Sequence, residues 1–199
     1  MHPNPKFHWK DREAMAAFVR GAGFGTLVAQ SGEALRAVHV PVLLEGDRLR
    51  FHVARGNAIH AALAEGGNAL FLVNGPHAYI SPDWYGMADR VPTWNYLAVE
   101  LEGPVRPMDR DALVALLDDL SAENEARLAP KPSWTRRKMN EARFEAMLGA
   151  MTAFEMEIVH WRGTAKLGQD KPEEVRNIVA DALDANGEAA MAEVTRKLV

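Results

Sequence analysis

The predicted architecture of this chain starts from residues 24–54, FGTLVAQSGEALRAVHVPVLLEGDRLRFHVA. A tight turn at Gly46-Asp47 joins the last two of its three strand-like segments, which are 24–30, 35–45 and 47–54. Leu49 and Phe51 point to one face of the last segment and polar side chains to the other, because successive side chains of a strand alternate. The stretch predicts a half-buried antiparallel meander in a mainly β (α+β) chain.

Helices and further strands are predicted on both sides of the meander. Asp11 is a typical N-cap for a helix that runs to residue 20, and Asp109 is one for a long amphipathic helix. The other segments predict helices at 57–65 and 136–149, two short helices from Pro172 onward, and strands at 68–74, 93–104 and 154–162. We expect one domain over 1–170 and a helical tail over 171–199 that packs on it.

The composition excludes several classes of protein. The formal charge is −4 and only WTRRK, residues 134–138, is a basic cluster, so direct DNA binding is doubtful. The absence of cysteine excludes a disulfide scaffold, cysteine-based zinc sites and iron–sulfur clusters. No window is long and apolar enough for a membrane span, and residues 1–10 have no apolar signal segment. We therefore expect a cytoplasmic protein without a membrane partner.

Common catalytic and metal-binding motifs are also absent. GAGFGT, residues 21–26, follows a predicted helix and precedes a strand, which is the reverse of a dinucleotide-binding fingerprint. These glycines are interpreted as a helix end and a turn. The sequence has no GxSxG, HExxH or Walker motif, and its histidines lack metal-ligand spacing. No metal site is predicted.

HVARGN, residues 52–57, predicts a phosphate site. A strand ends and a helix opens there, and a helix start offers unpaired N–H groups together with a partial positive charge. Arg55 adds a planar guanidinium that matches phosphate oxygens, and Asn57 is a candidate cap. The alternative is that Arg55 pairs with a surface carboxylate and Asn57 does no more than cap the helix.

PHAYISPDWYGMADRVPTWNY, residues 76–96, holds all three tyrosines and two of the five tryptophans. Prolines and charged residues interrupt these aromatics, which does not fit a plain buried strand or helix. The strand that follows, 93–103, has apolar residues on both faces, so we expect it to lie at an interface. Two readings stay open: Trp94 in the core with Asn95 in solvent, or Trp94 as a wall and Asn95 as a hydrogen-bonding group of a ligand pocket.

Four strings carry a family resemblance: HVARGN (52–57), GPHAYISPDWY (75–85), VPTWNY (91–96) and KLGQDK (166–171). They resemble the PaiB family, FMN-binding proteins named as negative transcriptional regulators, and the resemblance runs in order over nearly the whole chain. It implies a split β-barrel with peripheral helices, similar to pyridoxamine-phosphate oxidase and the flavin reductases, with FMN at a homodimer interface. Where the family reads HVARANP and KLSQN, this chain has HVARGNA and KLGQD, so it departs at Gly56, Ala58, Gly168 and Asp170.

The resemblance implies an FMN site. The phosphate is expected at Arg55 and Asn57, the flat ring against the strand 38–41, and its hydrogen-bonding edge at 93–95. Lys166 and Gln169 are assigned by resemblance alone, from the same or the partner chain. The full set of expected cofactor-binding residues is Val38, His39, Val40, Pro41, His52, Val53, Ala54, Arg55, Asn57, Thr93, Trp94, Asn95, Lys166 and Gln169.

Three classes of activity are compatible with this resemblance. The expected one is an FMN-dependent redox protein that takes electrons from a nicotinamide or another small-molecule donor; because the flavin carries the chemistry, no general acid or base is needed. The second is a flavin- or heme-binding transcriptional regulator without turnover, with His39 or His160 as a candidate heme ligand. The third is a structural homologue that has lost the cofactor chemistry. The sequence leaves these three classes open, and with them the question of enzyme activity.

Overall fold

Eight strands form one hydrogen-bonded sheet in the computed structural model, which describes residues 2–198. Their bounds are β1 His8–Trp9, β2 Phe24–Ser31, β3 Ala34–Glu45, β4 Arg48–Ala54, β5 Gly67–Ile80, β6 Thr93–Pro107, β7 Met151–Glu157 and β8 His160–Lys166. The strand order is β1-β8-β6-β5-β2-β3-β4-β7. Strand β6 also pairs with β7, the last strand in this order. This pairing closes a barrel of six strands, β6, β5, β2, β3, β4 and β7.

Helices lie between and after these strands. Their bounds are α1 Arg12–Ala22, α2 His60–Ala64, α3 Arg110–Ala126, α4 Glu141–Gly149, α5 Glu173–Ala185 and α6 Ala189–Lys197, with 3₁₀ helices at Pro5–Phe7, Pro82–Tyr85 and Arg136–Lys138. The chain divides into two units: the first is Met1–Met15, Val73–Glu100 and Arg162–Val199, and the second is Ala16–Leu72 and Leu101–Trp161. The expected boundary between a domain at 1–170 and a tail at 171–199 stays a prediction.

The predicted meander is present as β2, β3 and β4, which pair antiparallel in sequence order. Val42 lies opposite Phe51 in the register, and Leu49, Phe51 and Val53 are all buried. Gly46 has φ +58° in the turn between β3 and β4, a conformation that costs glycine little. The prediction that apolar and polar side chains alternate between the two faces of the last segment is therefore confirmed in β4.

The core of the second unit lies where α3 packs against β3 and β7. Leu113, Leu116 and Leu120 recur at helical spacing on its buried face. The Asp109 carboxylate caps the helix as predicted, accepting a 2.9 Å hydrogen bond from the Ala112 N–H. The same unit contains a very close backbone approach at Gly103, where a Cβ would lie 1.7 Å from the Glu157 carbonyl oxygen.

The first unit combines β1, β8 and the C-terminal helices. β1 pairs antiparallel with β8, and a Cβ at Gly163 would lie 2.8 Å from the Trp9 Cβ, so only glycine fits at that crossing. Helix α5 packs against α6 and against the 3₁₀ helix Pro82–Tyr85. The two helices predicted from Pro172 onward are present as α5 and α6, and Gly187, with φ +84°, lies in the break between them.

Two predicted helices are shorter than expected. The helix expected from Asn57 begins only at His60, with Ile59 in the N-cap position, because Asn57 is engaged in a turn instead. The helix expected over 136–149 is a 3₁₀ turn followed by α4, since Asn140 caps a new start by accepting from the Arg143 N–H.

Two predicted strands have different bounds. The strand expected at 68–74 continues to Ile80, so the first part of the aromatic stretch is strand after all. The strand expected at 154–162 is two strands, β7 and β8, because the chain turns at Ile158 and Val159. Their N–H groups donate to the Asp47 carbonyl (2.7 Å) and the Glu102 carbonyl (2.9 Å) respectively. Apolar residues continue to alternate through that turn, so the period-two pattern predicted one continuous strand.

The helices of residues 2–198 are all too short or too polar to cross a membrane.

Candidate functional site

The outer face of the meander carries Thr26, His39, Pro41 and His52, which we call the meander face. These positions alternate with buried residues along β2, β3 and β4, so they share one side of the sheet. Thr26 lies opposite His39 in the register, and its Oγ1 is 3.0 Å from His39 Nδ1. His39 is exposed, and Thr26, Pro41 and His52 are half-buried. Farther along the same side, Leu43 and Arg50 are covered by α3, so only the end of the face near His39 is accessible to a ligand.

Strand alternation divides the four residues expected against the flavin ring. Val40 is 2% exposed and faces the barrel interior, and Val38 shares that side. His39 and Pro41 point outward. A flat ring on the outer face can therefore contact the side chains of His39 and Pro41, but only the backbone of the two valines.

On β4, His52 is the outward residue and Val53 is buried inward, while Ala54 is exposed at the strand end. Burial lowers the pKa of His52, because desolvation disfavours the charged imidazolium. Its Nδ1 is buried and makes no hydrogen bond within residues 2–198. The imidazole is therefore held neutral over a wider pH range than an ordinary histidine.

Arg55 follows directly after β4. Its backbone N–H donates to the Ala150 carbonyl at 2.8 Å, which fixes the position of the residue. Its side chain is exposed and makes no ion pair with any of the residues described. Arg55 is one of the residues that line a cavity of about 250 Å³, together with Asp109, Arg110 and Glu145, and Arg110 pairs with Glu145. Arg55 is thus free to bind an anion.

Asn57 does not cap α2. Its Oδ1 accepts from the Ile59 N–H at 3.1 Å and its backbone N–H donates to the Ala54 carbonyl at 2.9 Å, so it closes a turn that precedes the helix. Helix α2 has only 5 residues. The argument from a helix dipole at HVARGN is therefore wrong, and the contribution of Asn57 to anion binding reduces to its side-chain N–H groups.

A separate cavity of about 240 Å³ in the first unit brings together Thr93, Asn95 and Lys166, which the resemblance assigned to the cofactor. We call it the Lys166 cavity. Its other lining residues are Phe7, Tyr85, Asp89, Arg90, Val91, Gly168, Asp170 and Lys171. Three residues expected to bind the cofactor thus line the same cavity, although Thr93 and Lys166 are 73 positions apart in the sequence.

Lys166 is held at the wall of this cavity. Its Nζ donates to Thr93 Oγ1 at 2.5 Å and lies 5.7 Å from the centroid of the Phe7 ring. Burial lowers the pKa of Lys166, and the nearby Asp170 carboxylate partly opposes this effect. Asp170 itself pairs with Lys171, so Lys166 has no ion pair among the residues that the structure describes.

Asn95 and Trp94 occupy opposite sides of β6. Asn95 is 2% exposed and lines the Lys166 cavity, whereas Trp94 is 55% exposed. The Trp94 ring contacts His77 and Tyr79, with centroid distances of 6.1 and 6.4 Å. This is the reverse of the reading with Trp94 in the core and Asn95 in solvent, and it leaves Trp94 outside the Lys166 cavity.

The Gln169 side chain is used within its own turn. Its Oε1 accepts from the Leu167 N–H at 2.8 Å, and its Nε2 donates to the carbonyls of Ala165 (2.6 Å) and Lys6 (3.1 Å). Both N–H groups of the amide are therefore occupied. Gln169 holds the turn that carries Lys166 and has no N–H left for a ligand.

Sequence reasoning missed Tyr85, Arg90 and Lys171 as lining residues of the Lys166 cavity. Burial and the Asp170 carboxylate raise the pKa of Tyr85. Arg90 makes no ion pair with a described residue, and Lys171 lies 5.6 Å from the Tyr85 ring. The available signal was their position: all three lie within the stretch 76–96 or the string KLGQDK, already singled out as unusual.

The comparisons with known proteins agree with this fold. A family model described as "Putative FMN-binding domain" matches residues 1–160, which is most of the chain and stops before Lys166 and Gln169. The protease synthase and sporulation protein PAI 2 of Bacillus subtilis is 28% identical over 171 residues, covering 84% of this chain and 81% of that protein.

Solved structures share the architecture at low sequence identity. The FAD and heme binding protein from Mycobacterium smegmatis has a TM-score of 0.60 at 21% identity, over 84% of this chain and 78% of that one. A flavocytochrome from Azotobacter vinelandii has a TM-score of 0.59 at 15% identity, over 84% and 73%. The predicted split-barrel fold is confirmed, and so are the predicted resemblance and its cofactor class. The chain belongs to the FMN-binding family of this description, the family of PaiB-like split-barrel flavoproteins.

Proposed function

We propose that this protein is a homodimeric flavoprotein that binds FMN on the meander face, with the phosphate at Arg55, and works as a redox protein. The observation that carries the proposal is Arg55, an exposed arginine at the end of β4 that has no acidic partner among the residues described. A free arginine at such a position suits a phosphate because its planar fork binds two oxygens at once.

The residues of the meander face fit the rest of the cofactor. His39 and Pro41 offer a flat, half-apolar surface of the kind that an isoalloxazine ring packs against. The Asn57 oxygen is used by the Ile59 N–H, which leaves the Asn57 amide N–H groups for the phosphate. When bound, FMN supplies hydride or single-electron transfer, while the protein binds and orients it. His52, held neutral by burial, adds no charge next to the ring.

An exposed aromatic cluster supports the dimer. Trp94 is 55% and Tyr79 48% exposed, and His77 lies beside both. Contiguous exposed apolar surface of this kind marks interaction sites in folded proteins. We propose that a second copy of the chain covers this cluster. The proposed location of the protein is the cytoplasm.

Flavin fluorescence tests the cofactor site. Arg55→Ala should weaken FMN binding by about 1.5–3 kcal/mol, the range for a hydrogen bond to a charged group. Arg20→Ala is the matched control, because Arg20 is also an exposed arginine without an ion pair in residues 2–198. Equal FMN affinity in the two variants would remove Arg55 from the site.

Anaerobic reduction separates the redox protein from a regulator without turnover. FMN-loaded protein mixed with NADH or NADPH should lose its flavin absorbance if a nicotinamide is the electron donor. Dithionite, which should bleach the flavin in any case, is the positive control. Flavin absorbance that persists with both nucleotides would argue for another electron donor or for the regulatory alternative. The heme alternative, with His39 or His160 as ligand, also stays a prediction; His39 Nδ1 already contacts Thr26 Oγ1.

A further inference from the structure

We propose that a cavity beside the basic segment 134–138 binds a planar aromatic molecule that carries an anionic group. The cavity has a volume of about 530 Å³ and lies within the second unit, between α3 and the residues that lead into the 3₁₀ helix Arg136–Lys138. None of its lining residues belongs to the set expected to bind FMN. We call it the Trp134 cavity, and it is lined by Asp118, Ser133, Trp134, Thr135, Arg136 and Arg137 among others.

The backbone of Trp134 is fixed, while its ring stays accessible. The Trp134 N–H donates to Glu125 Oε2 at 2.8 Å, and Lys131 pairs with the same carboxylate oxygen, so the segment is tied to the end of α3. The Trp134 side chain is nevertheless 36% exposed and contacts no other aromatic ring within residues 2–198. A partly exposed indole that lines a cavity offers a flat surface on which an aromatic ring can stack.

The two arginines of the cavity differ in what they contact. Arg136 pairs with Asp118 of α3, with its Nε 2.9 Å from Oδ2, and its guanidinium lies 5.5 Å from the centroid of the Phe144 ring of α4. The side chain of Arg137 is exposed and makes no ion pair or hydrogen bond with any described residue. Arg136 therefore anchors the 3₁₀ helix, and Arg137 is left for an anionic group, whose oxygens a planar guanidinium binds in pairs.

Charge and size agree with an anionic ligand of moderate size. Arg136 and Arg137 are the cations among the lining residues and Asp118 is the acid, which leaves one net positive charge. The hydroxyl groups of Ser133 and Thr135 make no hydrogen bond within residues 2–198, so they can donate to ligand oxygens. The volume falls within the roughly 300–1,000 Å³ typical of small-molecule sites, which is enough for a ring together with its anionic group.

The combination of an accessible indole and an unpaired guanidinium specifies the class of ligand. A simple inorganic anion would engage Arg137 alone, and a neutral ring would engage Trp134 alone. A ligand that engages both carries a flat ring and a negative charge on the same molecule. Carboxylate and phosphate groups both offer the paired oxygens that a guanidinium binds, and the experiment below distinguishes them.

The test follows the Trp134 indole N–H and the backbone amides of residues 133–138 by NMR, in the full chain with and without FMN. Sodium 2-naphthoate and 1-naphthyl phosphate are the aromatic probes, and sodium acetate and inorganic phosphate are their non-aromatic counterparts. We expect an aromatic probe to bind at least tenfold more tightly than its counterpart, also in the presence of FMN, and the tighter of the two aromatic probes identifies the anionic group. No shift with either aromatic probe, equal affinities within both pairs, or displacement of the probe by FMN would each overturn the proposal.

Variants at two positions localise the binding. Arg137→Gln should weaken the aromatic probe roughly tenfold or more, as expected for the loss of a hydrogen bond to a charged group. Arg143→Gln, at an exposed arginine of α4 outside the cavity, should leave its affinity unchanged. Trp134→Leu should weaken the probe about threefold or more through the lost stacking, whereas Trp134→Phe keeps a ring, should retain most of the affinity and guards against misfolding of the leucine variant. Equal affinities in Arg137→Gln and Arg143→Gln, or in Trp134→Leu and Trp134→Phe, would contradict the assignment.

Discussion

Single residues of this protein are constrained by close backbone contacts and by burial of ionisable groups. Gly103 and His52 show the two cases. A methyl group at Gly103 would overlap a backbone carbonyl, which cannot rotate away as a side chain can. His52 is a titratable group whose environment in the folded state differs from that in the unfolded chain.

Gly103→Ala should destabilise the protein by at least about 3 kcal/mol, at or above the upper end of the usual range for overpacking. The reason is the 1.7 Å distance from the added Cβ to the Glu157 oxygen, which forces the backbone to move. Gly21→Ala is the control: nothing lies within 4 Å of its Cβ position, and in helix α1 the change should stabilise by about 0.5–1 kcal/mol. Urea denaturation measures both, and similar effects in the two variants would contradict the contact.

His52 should make the flavin-free protein lose stability in acid. Its folded-state pKa lies below the ordinary 6.5, so as pH falls through 6.5 the unfolded chain takes up a proton at this position before the folded chain does. The free energy of unfolding therefore falls between 6.5 and the lowered pKa. His52→Gln lacks this contribution, and its stability should fall less over the same range in urea titrations at a series of pH values. Parallel profiles for the two proteins would rule the effect out.

At the scale of elements, local signals predicted most positions and missed some ends. The helix after Asp109 was predicted from a cap and a leucine spacing, both of which act within a few residues. The start of α2 was misjudged, because Asn57 forms a turn hydrogen bond to Ile59 that looks like a cap in the sequence. The break between β7 and β8 was missed because it depends on Asp47 and Glu102, which are distant in the chain.

The cap of α3 gives a prediction at this scale. Asp109→Ala should destabilise the protein by about 1 kcal/mol, because the Ala112 N–H loses its acceptor at 2.9 Å. Asp109→Asn keeps an oxygen acceptor and should cost less. Asp111→Ala, in the same turn but with a side chain 97% exposed, should change the free energy of unfolding by less than about 0.5 kcal/mol. Thermal or urea denaturation of the three variants provides the comparison, and equal costs at 109 and 111 would exclude a specific cap.

For the whole molecule, the main question is how the exposed aromatic cluster is covered. In a monomer, the Trp94 and Tyr79 rings would be about half exposed to water, with His77 beside them. The proposed homodimer removes that surface from solvent. The Lys166 cavity lies in the first unit of the chain and the meander face in the second.

Trp94→Glu should convert the dimer to a monomer, because a carboxylate buried at an interface without a partner pays a large desolvation cost. Leu35→Glu is the control: Leu35 is 70% exposed in β3 and lies outside the aromatic cluster. Light scattering at micromolar concentration should report a dimer for the wild type and for Leu35→Glu. A monomeric wild type, or a dimeric Trp94→Glu, would refute the proposed interface.

Local patterns in the sequence were sufficient to predict the meander and which residues of a strand share a face, because alternation and turn residues act over a few positions. The family was predicted from the resemblance of four short strings. It also pointed to Arg55 as a phosphate ligand. The burial of Asn95 and the exposure of its neighbour Trp94 depend on long-range packing, since alternation tells which side chains share a face but not which face is covered. The contact of Lys166 with Thr93, 73 residues apart, likewise depends on long-range strand order that no local pattern encodes.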